Sequence, residues 1–126
     1  MVSGPTGKTR AQFRLRITKG DDIAVGPGKV DLLEAIAATG SITAAAKAIG
    51  MSYRRAWLLV DETNRCMVEP AVETVAGGER GGGTALTPAG AELVTRYRAL
   101  ERETANAARH ALGPLLRQAP TLRKAG

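Results

Sequence analysis

The stretch Ser41–Trp57, SITAAAKAIGMSYRRAW, limits the possible folds more than any other part of the chain. Ala44, Ala45, Ala46 and Ala48 precede a single glycine, Gly50, and Ser52-Tyr53-Arg54-Arg55 follows it. Two short helices joined by a three- or four-residue turn cross at roughly 90–120°, so their backbones meet closely. Ala46 is small enough for that approach. Gly50 accepts the positive φ that the turn requires. Ala45, Ile49, Met51, Ala56 and Leu59 fall at the spacings of a shared buried face. Ser41 then caps a helix over about Ile42–Ile49, and Ser52 caps the next, which reaches about Asn64–Met67. This pattern is a helix-turn-helix.

The flanking sequence supplies the remaining elements. Between Gln12 and Thr18, Phe13, Leu15 and Ile17 alternate with Arg14 and Arg16, which predicts a half-buried strand. Lys19–Gly28 reads as turn. Val30, Leu33, Ile36 and Ala37 give a helix over Lys29–Thr39, ended by Gly40. Pro70 ends the third helix by disfavouring helical backbone at Glu69. Val72–Ala76 and Thr84–Leu86 form a β-hairpin around the glycine-rich GGERGGG. Thr87-Pro88 opens a helix expected to stop at about Leu112, before Gly113-Pro114. Strand, three helices, hairpin and long helix is the order of a winged helix-turn-helix. The expected class is therefore mainly α with a small β-hairpin and a long C-terminal dimerisation helix. Residues 1–11 are expected to be a disordered leader, 12–112 the domain, and 113–126 a flexible tail.

The chain's 126 residues carry a net charge of +6 with a pI near 10.1, which favours a polyanionic partner, nucleic acid first. In a helix-turn-helix the second helix enters the major groove, and its N-terminal residues reach base edges. Arginine pairs bidentately with guanine, whereas serine, tyrosine and backbone amides suit phosphate oxygens. Ser52, Tyr53, Arg54, Arg55, Trp57 and Leu58 are thus the candidate DNA-binding residues of the third helix, and Arg80 that of the hairpin tip. The competing reading of the arginines is an ordinary solvated surface, and that of the tip is a loop with no contact. Trp57 could also pack beneath the hairpin or against the first helix, and packing is preferred.

Catalysis finds little support, and an enzyme is not expected. His110 stands alone near a helix end, and Cys66 has no histidine or acid pattern around it. Asp21-Asp22 and Asp61-Glu62 read as solvated charges. The glycine loop lacks the ending of a phosphate-gripping loop. No metal-ligand cluster and no cofactor are expected. The single cysteine fits a reducing cytoplasm, and no apolar run is long enough for a membrane span. On the last helix Leu93, Val94, Tyr97, Leu100 and Thr104 form a stripe expected at a homodimer interface.

The segments LLEAIAATGSITAAAKAIGMSYRRAW and GGERGGGTALTPAGAELVTRYRALE together resemble the N-terminal DNA-binding domain of ModE-type molybdate-responsive transcription regulators. They resemble LysR-type domains more distantly. The resemblance covers about Phe13 to Glu101. It implies a winged helix dimerising through its long helix and N-terminal region, with Ser52, Tyr53 and Arg54 at the DNA and the hairpin around Arg80 beside them. Those regulators bind molybdate in C-terminal oxyanion-binding domains. This chain has no room for such domains before Gly126, and LLRQAPTLRKAG reads as a natural end, so molybdate is not an expected ligand. The expected function is a cytoplasmic bacterial transcription regulator, reading an inverted-repeat operator as a dimer. The alternative is a winged-helix protein-interaction module that partners a separate sensor subunit.

Overall fold

Pro27 sets where the first helix begins, at a position where its missing N–H costs nothing. In the computed structural model, which describes residues 12–78 and 81–122, helix α1 spans Pro27–Thr39. Gly40 ends it at φ +74. Helix α2 spans Ile42–Ala48 and α3 spans Tyr53–Arg65. Ahead of them lie the short strands β1 (Ile17–Lys19) and β2 (Asp22–Val25). After them come β3 (Val72–Gly78), β4 (Gly81–Leu86) and α4 (Pro88–Leu122). The architecture is mainly helical and that of a winged helix-turn-helix, with two antiparallel hairpins among the described residues.

The described residues divide into two compact units: Arg14–Arg98, and the described residues outside it, which include α4 from Ala99 onward. Within Arg14–Arg98 the core is aliphatic. Leu32, Leu33 and Ile36 of α1 pack with Ala45 and Ala46 of α2, Ala56 and Val60 of α3, and Ala71 and Val72 at the root of β3. Ala46, expected where the helices cross, is buried in this core. A second cluster joins Ala24 and Val25 of β2 to Val30 of α1 and Tyr97 of α4.

Several local expectations need correction. The N-terminal strand is confined to β1, and the stretch read as turn contains β2 and the first two residues of α1. Gly20, at φ +62, supplies the positive φ for a tight β1–β2 hairpin. The Phe13 and Ile17 side chains are exposed, and only Leu15 of the alternating set is half-buried. Ile49, placed on the buried face by spacing, is partly exposed because it is the C-cap of α2, where the chain leaves the helix. Helix α4 continues through Gly113 and Pro114 to Leu122. Proline removes one backbone donor but leaves the helix on either side intact. Strands β3 and β4 also run further toward the hairpin tip than the alternation alone suggested.

The β3–β4 hairpin pairs Val72 with Leu86, Glu73 with Ala85, Thr74 with Thr84 and Val75 with Gly83. Two contacts seat it. The Thr84 N–H donates to the Gly40 carbonyl at 2.9 Å, joining β4 to the end of α1. The Thr87 N–H donates to the Ala71 carbonyl at 2.9 Å. Gly90 lies so close to Ala71 that a Cβ would fall 2.1 Å from its carbonyl oxygen. No helix among the described residues is long and apolar enough to cross a membrane.

Candidate nucleic-acid interface

The turn between α2 and α3 is built as the sequence requires. Gly50 takes φ +72, and the Met51 N–H donates to the Ala46 carbonyl at 2.9 Å. Ser41 and Ser52 both act as N-caps. The Ser41 hydroxyl oxygen accepts from the Ala44 N–H, and that of Ser52 from the Arg55 N–H, each at 3.1 Å. Each cap satisfies a backbone donor that the first turn of a helix leaves unpaired.

Helix α3 buries Ala56, Val60 and Thr63. Arg54 and Leu58 lie on the opposite face, with Trp57 beside them and Tyr53 on the flank, and these four are exposed, as are Ser52 and Arg55. The expected residues of α3 therefore come together at the N-terminal half of one helix. Trp57 stands 48% exposed, so the packing preferred from sequence is not what the fold does. Arg80 lies outside the described residues.

Ion pairs make this face positive at its start. Asp61 is engaged by Arg65 at 3.0 Å, and Glu62 by Lys29 at 3.2 Å. Among the described residues, neither Arg54 nor Arg55 has a carboxylate partner. The helix N-terminus adds its own partial positive charge. The Lys29–Glu62 pair also positions α3. The Lys29 side chain is almost wholly buried, and its Nζ donates to the Ile23 carbonyl as well, so α1, α3 and β2 share one ammonium.

The hairpin is pinned to α3 by a residue that sequence reasoning missed. Asn64, in the last turn of α3, accepts from the N–H groups of Ala71 and Val72 and donates to the Val72 carbonyl. Its partners lie seven and eight residues away, across a turn, so no local pattern marks it. Thr87 was legible as an N-cap, and its hydroxyl oxygen does accept from the Gly90 N–H at 3.0 Å. The same hydroxyl donates to the Pro70 carbonyl at 2.6 Å, which the sequence did not suggest.

The stripe on α4 does not share one environment. Leu93 and Val94 pack partly buried against the core of Arg14–Arg98. Tyr97 is 3% exposed, and its hydroxyl donates to the Leu15 carbonyl at 2.8 Å. Leu100 is exposed, and the Thr104 hydroxyl bonds back to the Glu101 carbonyl of its own helix. Beside the stripe, Arg98 holds Glu34 at 2.6 and 3.1 Å and Asp31 at 2.7 Å. The Arg98 guanidinium, through these bonds, holds the Glu34 carboxyl below the usual glutamate range. Partial burial opposes that shift, and the guanidinium's charge adds to it. Among the described residues, no three His, Cys, Asp or Glu side chains gather as a metal site would require.

No protein-family model matches the chain. Individual relatives do. The chain is 44% identical over 97 residues to the molybdenum transport protein ModE of Azotobacter vinelandii, covering 75% of this chain and 36% of that protein. It is 47% identical over 77 residues to the molybdenum-pterin-binding protein MopB of Rhodobacter capsulatus, covering 61% and 28%. It is 35% identical over 88 residues to the DNA-binding transcriptional dual regulator ModE of Escherichia coli K12, covering 70% and 34%. None of these descriptions names a catalytic activity. The chain spans about a third of the length of the ModE relatives it matches. With this similarity over most of its length, the chain is homologous to the N-terminal region of the ModE-type regulators.

Proposed function

We propose that this chain is a DNA-binding transcription regulator that reads an inverted-repeat operator as a two-fold dimer, with one α3 helix in the major groove of each half-site. The observation that carries the proposal is the first turn of α3. It is exposed and capped, and it presents Arg54 and Arg55 without a carboxylate partner among the described residues. The similarity to a relative described as a DNA-binding transcriptional regulator supports it. Arg54 is assigned to a base edge, Ser52 and Arg55 to phosphate, and Arg80 to the backbone or minor groove beside the hairpin.

The test is a salt titration of binding to duplex DNA. A protein that neutralises phosphates loses affinity linearly in log salt, with a slope near −0.9 per phosphate contacted, roughly. A flat response would favour a protein-interaction module that partners a separate sensor subunit. Arg54→Ala is expected to weaken the specific complex by about 1–3 kcal/mol, one good bidentate contact, and to leave random duplex nearly unaffected. Equal loss on both duplexes would move Arg54 to phosphate contact.

Molybdate is not assigned to these residues. Among the described residues of the Arg14–Arg98 unit, the two most sheltered cations, Lys29 and Arg98, are engaged by Glu62 and by Asp31 and Glu34. A rigid oxyanion site needs converging donors of that kind. Titration calorimetry with molybdate checks this, and a micromolar site would overturn it.

A further inference from the structure

The chain has one Trp, one Phe and two Tyr. Tyr97 is buried, but Tyr53 and Trp57 stand one helical turn apart on α3, 55% and 48% exposed. Leu58 beside them is 43% exposed. The docking of α3 does not need them, since Ala56, Val60 and Thr63 supply its buried side. A chain poor in aromatics thus spends two of them, with a leucine, where water bathes them at a cost in free energy.

The surroundings narrow what this apolar face fits. Arg54 lies on the same face and Arg55 at its edge, both exposed, and the nearby Asp61 is occupied by Arg65. An apolar protein surface seated there would strip water from Arg54 without supplying a counter-charge, which is costly. Duplex DNA offers phosphates to the arginines. It also offers one apolar group in its major groove, the C5 methyl of thymine.

We propose that the exposed apolar face of α3 reads thymine methyl groups, with Trp57 and Leu58 as the contacts and Tyr53 flanking them. This rests on the DNA-binding function proposed above and adds the class of base that the helix selects. Guanine edges fall to Arg54, and discrimination beside them comes from hydrophobic contact rather than hydrogen bonds.

The test uses the full chain and deoxyuridine, which differs from thymidine only in lacking the methyl group. Sites are selected from a random duplex library. The best duplex is then rebuilt with dU replacing each dT in turn, and affinity is read by fluorescence anisotropy. At one or more positions in each half-site the replacement is expected to weaken binding roughly fourfold, equivalent to about 0.8 kcal/mol for one methyl-sized group. Trp57→Ala or Leu58→Ala, each with an unchanged thermal melt, is expected to bind the dT and dU duplexes equally at those positions. If every dU duplex binds as tightly as its parent while the parent still outcompetes random DNA, the thymine assignment falls and the DNA-binding proposal stands. If no duplex is selected over random DNA, both fall.

Discussion

Asn64 and Val72 are joined by a reciprocal pair of hydrogen bonds, each 3.2 Å long: the Val72 N–H donates to Asn64 Oδ1, and Asn64 Nδ2 donates to the Val72 carbonyl. The same Oδ1 accepts from the Ala71 N–H at 2.8 Å. One side chain at the end of α3 thereby replaces the strand partner that the start of β3 lacks on that side. It also sets the direction in which the hairpin leaves the helix that is proposed to read DNA.

Asn64→Ala removes all three bonds and leaves partly buried backbone groups without partners. It is expected to lower stability by about 2–3 kcal/mol, measured by chemical denaturation. Asn64→Asp keeps both acceptor interactions and loses only the donor, so its loss should be clearly smaller. Equal losses for the two variants would show that the N–H acceptance is not what holds the hairpin.

Gly90→Ala tests the contact between the start of α4 and the root of β3. The added Cβ would lie 2.1 Å from the Ala71 carbonyl oxygen, so backbone must move. Overpacking of this kind costs about 1–3 kcal/mol. Gly28→Ala is the matched control. Gly28 lies in α1 with open space around it and no positive φ, and the substitution should stabilise by about 0.5 kcal/mol. Thermal melts of the two variants should therefore move in opposite directions.

The Arg98–Glu34 pair gives stability a pH dependence with a definite sign. Glu34 has a carboxyl pKa lower in the folded than in the unfolded chain, chiefly because Arg98 hydrogen-bonds to it. Its contribution is therefore fully present above the ordinary glutamate pKa and is lost as pH falls through the lowered folded value. Arg98→Gln should flatten that part of the profile. Denaturation midpoints taken from neutral pH down to pH about 3 measure it. An identical acid limb in the variant would mean that the pair contributes nothing, as for many solvent-exposed ion pairs.

Helix α4 is 35 residues long, roughly 52 Å at about 1.5 Å per residue. From Ala99 onward it exposes Leu100, Leu112 and Leu115. If the proposed dimer packs along this helix, the chain should sediment as a dimer at micromolar concentration, and Leu100→Asp with Leu112→Asp should yield a folded monomer. A monomeric parent chain, unchanged by DNA, would rule the dimer out.

Local spacing was enough to place α1, α2 and α3, the two serine caps and the Gly50 turn, because a cap, a positive φ and a 3.6-residue period act within a few residues. The same locality marked Ser52, Tyr53, Arg54, Arg55, Trp57 and Leu58 as candidates clustered at the start of one helix. It could not say that Trp57 faces water, that Ile49 leaves the core, or that Tyr97 turns inward to the Leu15 carbonyl. Those outcomes depend on which elements arrive at each face. An apolar side chain signals that burial is favourable but does not identify its partner. The strand β2 was hidden in a turn-like composition, since a four-residue strand carries too little periodicity to outweigh Gly20, Asp21 and Asp22. Asn64, Lys29 and Gly90 owe their roles to groups brought near them by the fold: a strand root, a buried carbonyl with a carboxylate, and a backbone at van der Waals distance. Tertiary structure alone decides such roles, because hydrogen bonds and close contacts act over a few ångströms in space whatever the separation along the chain.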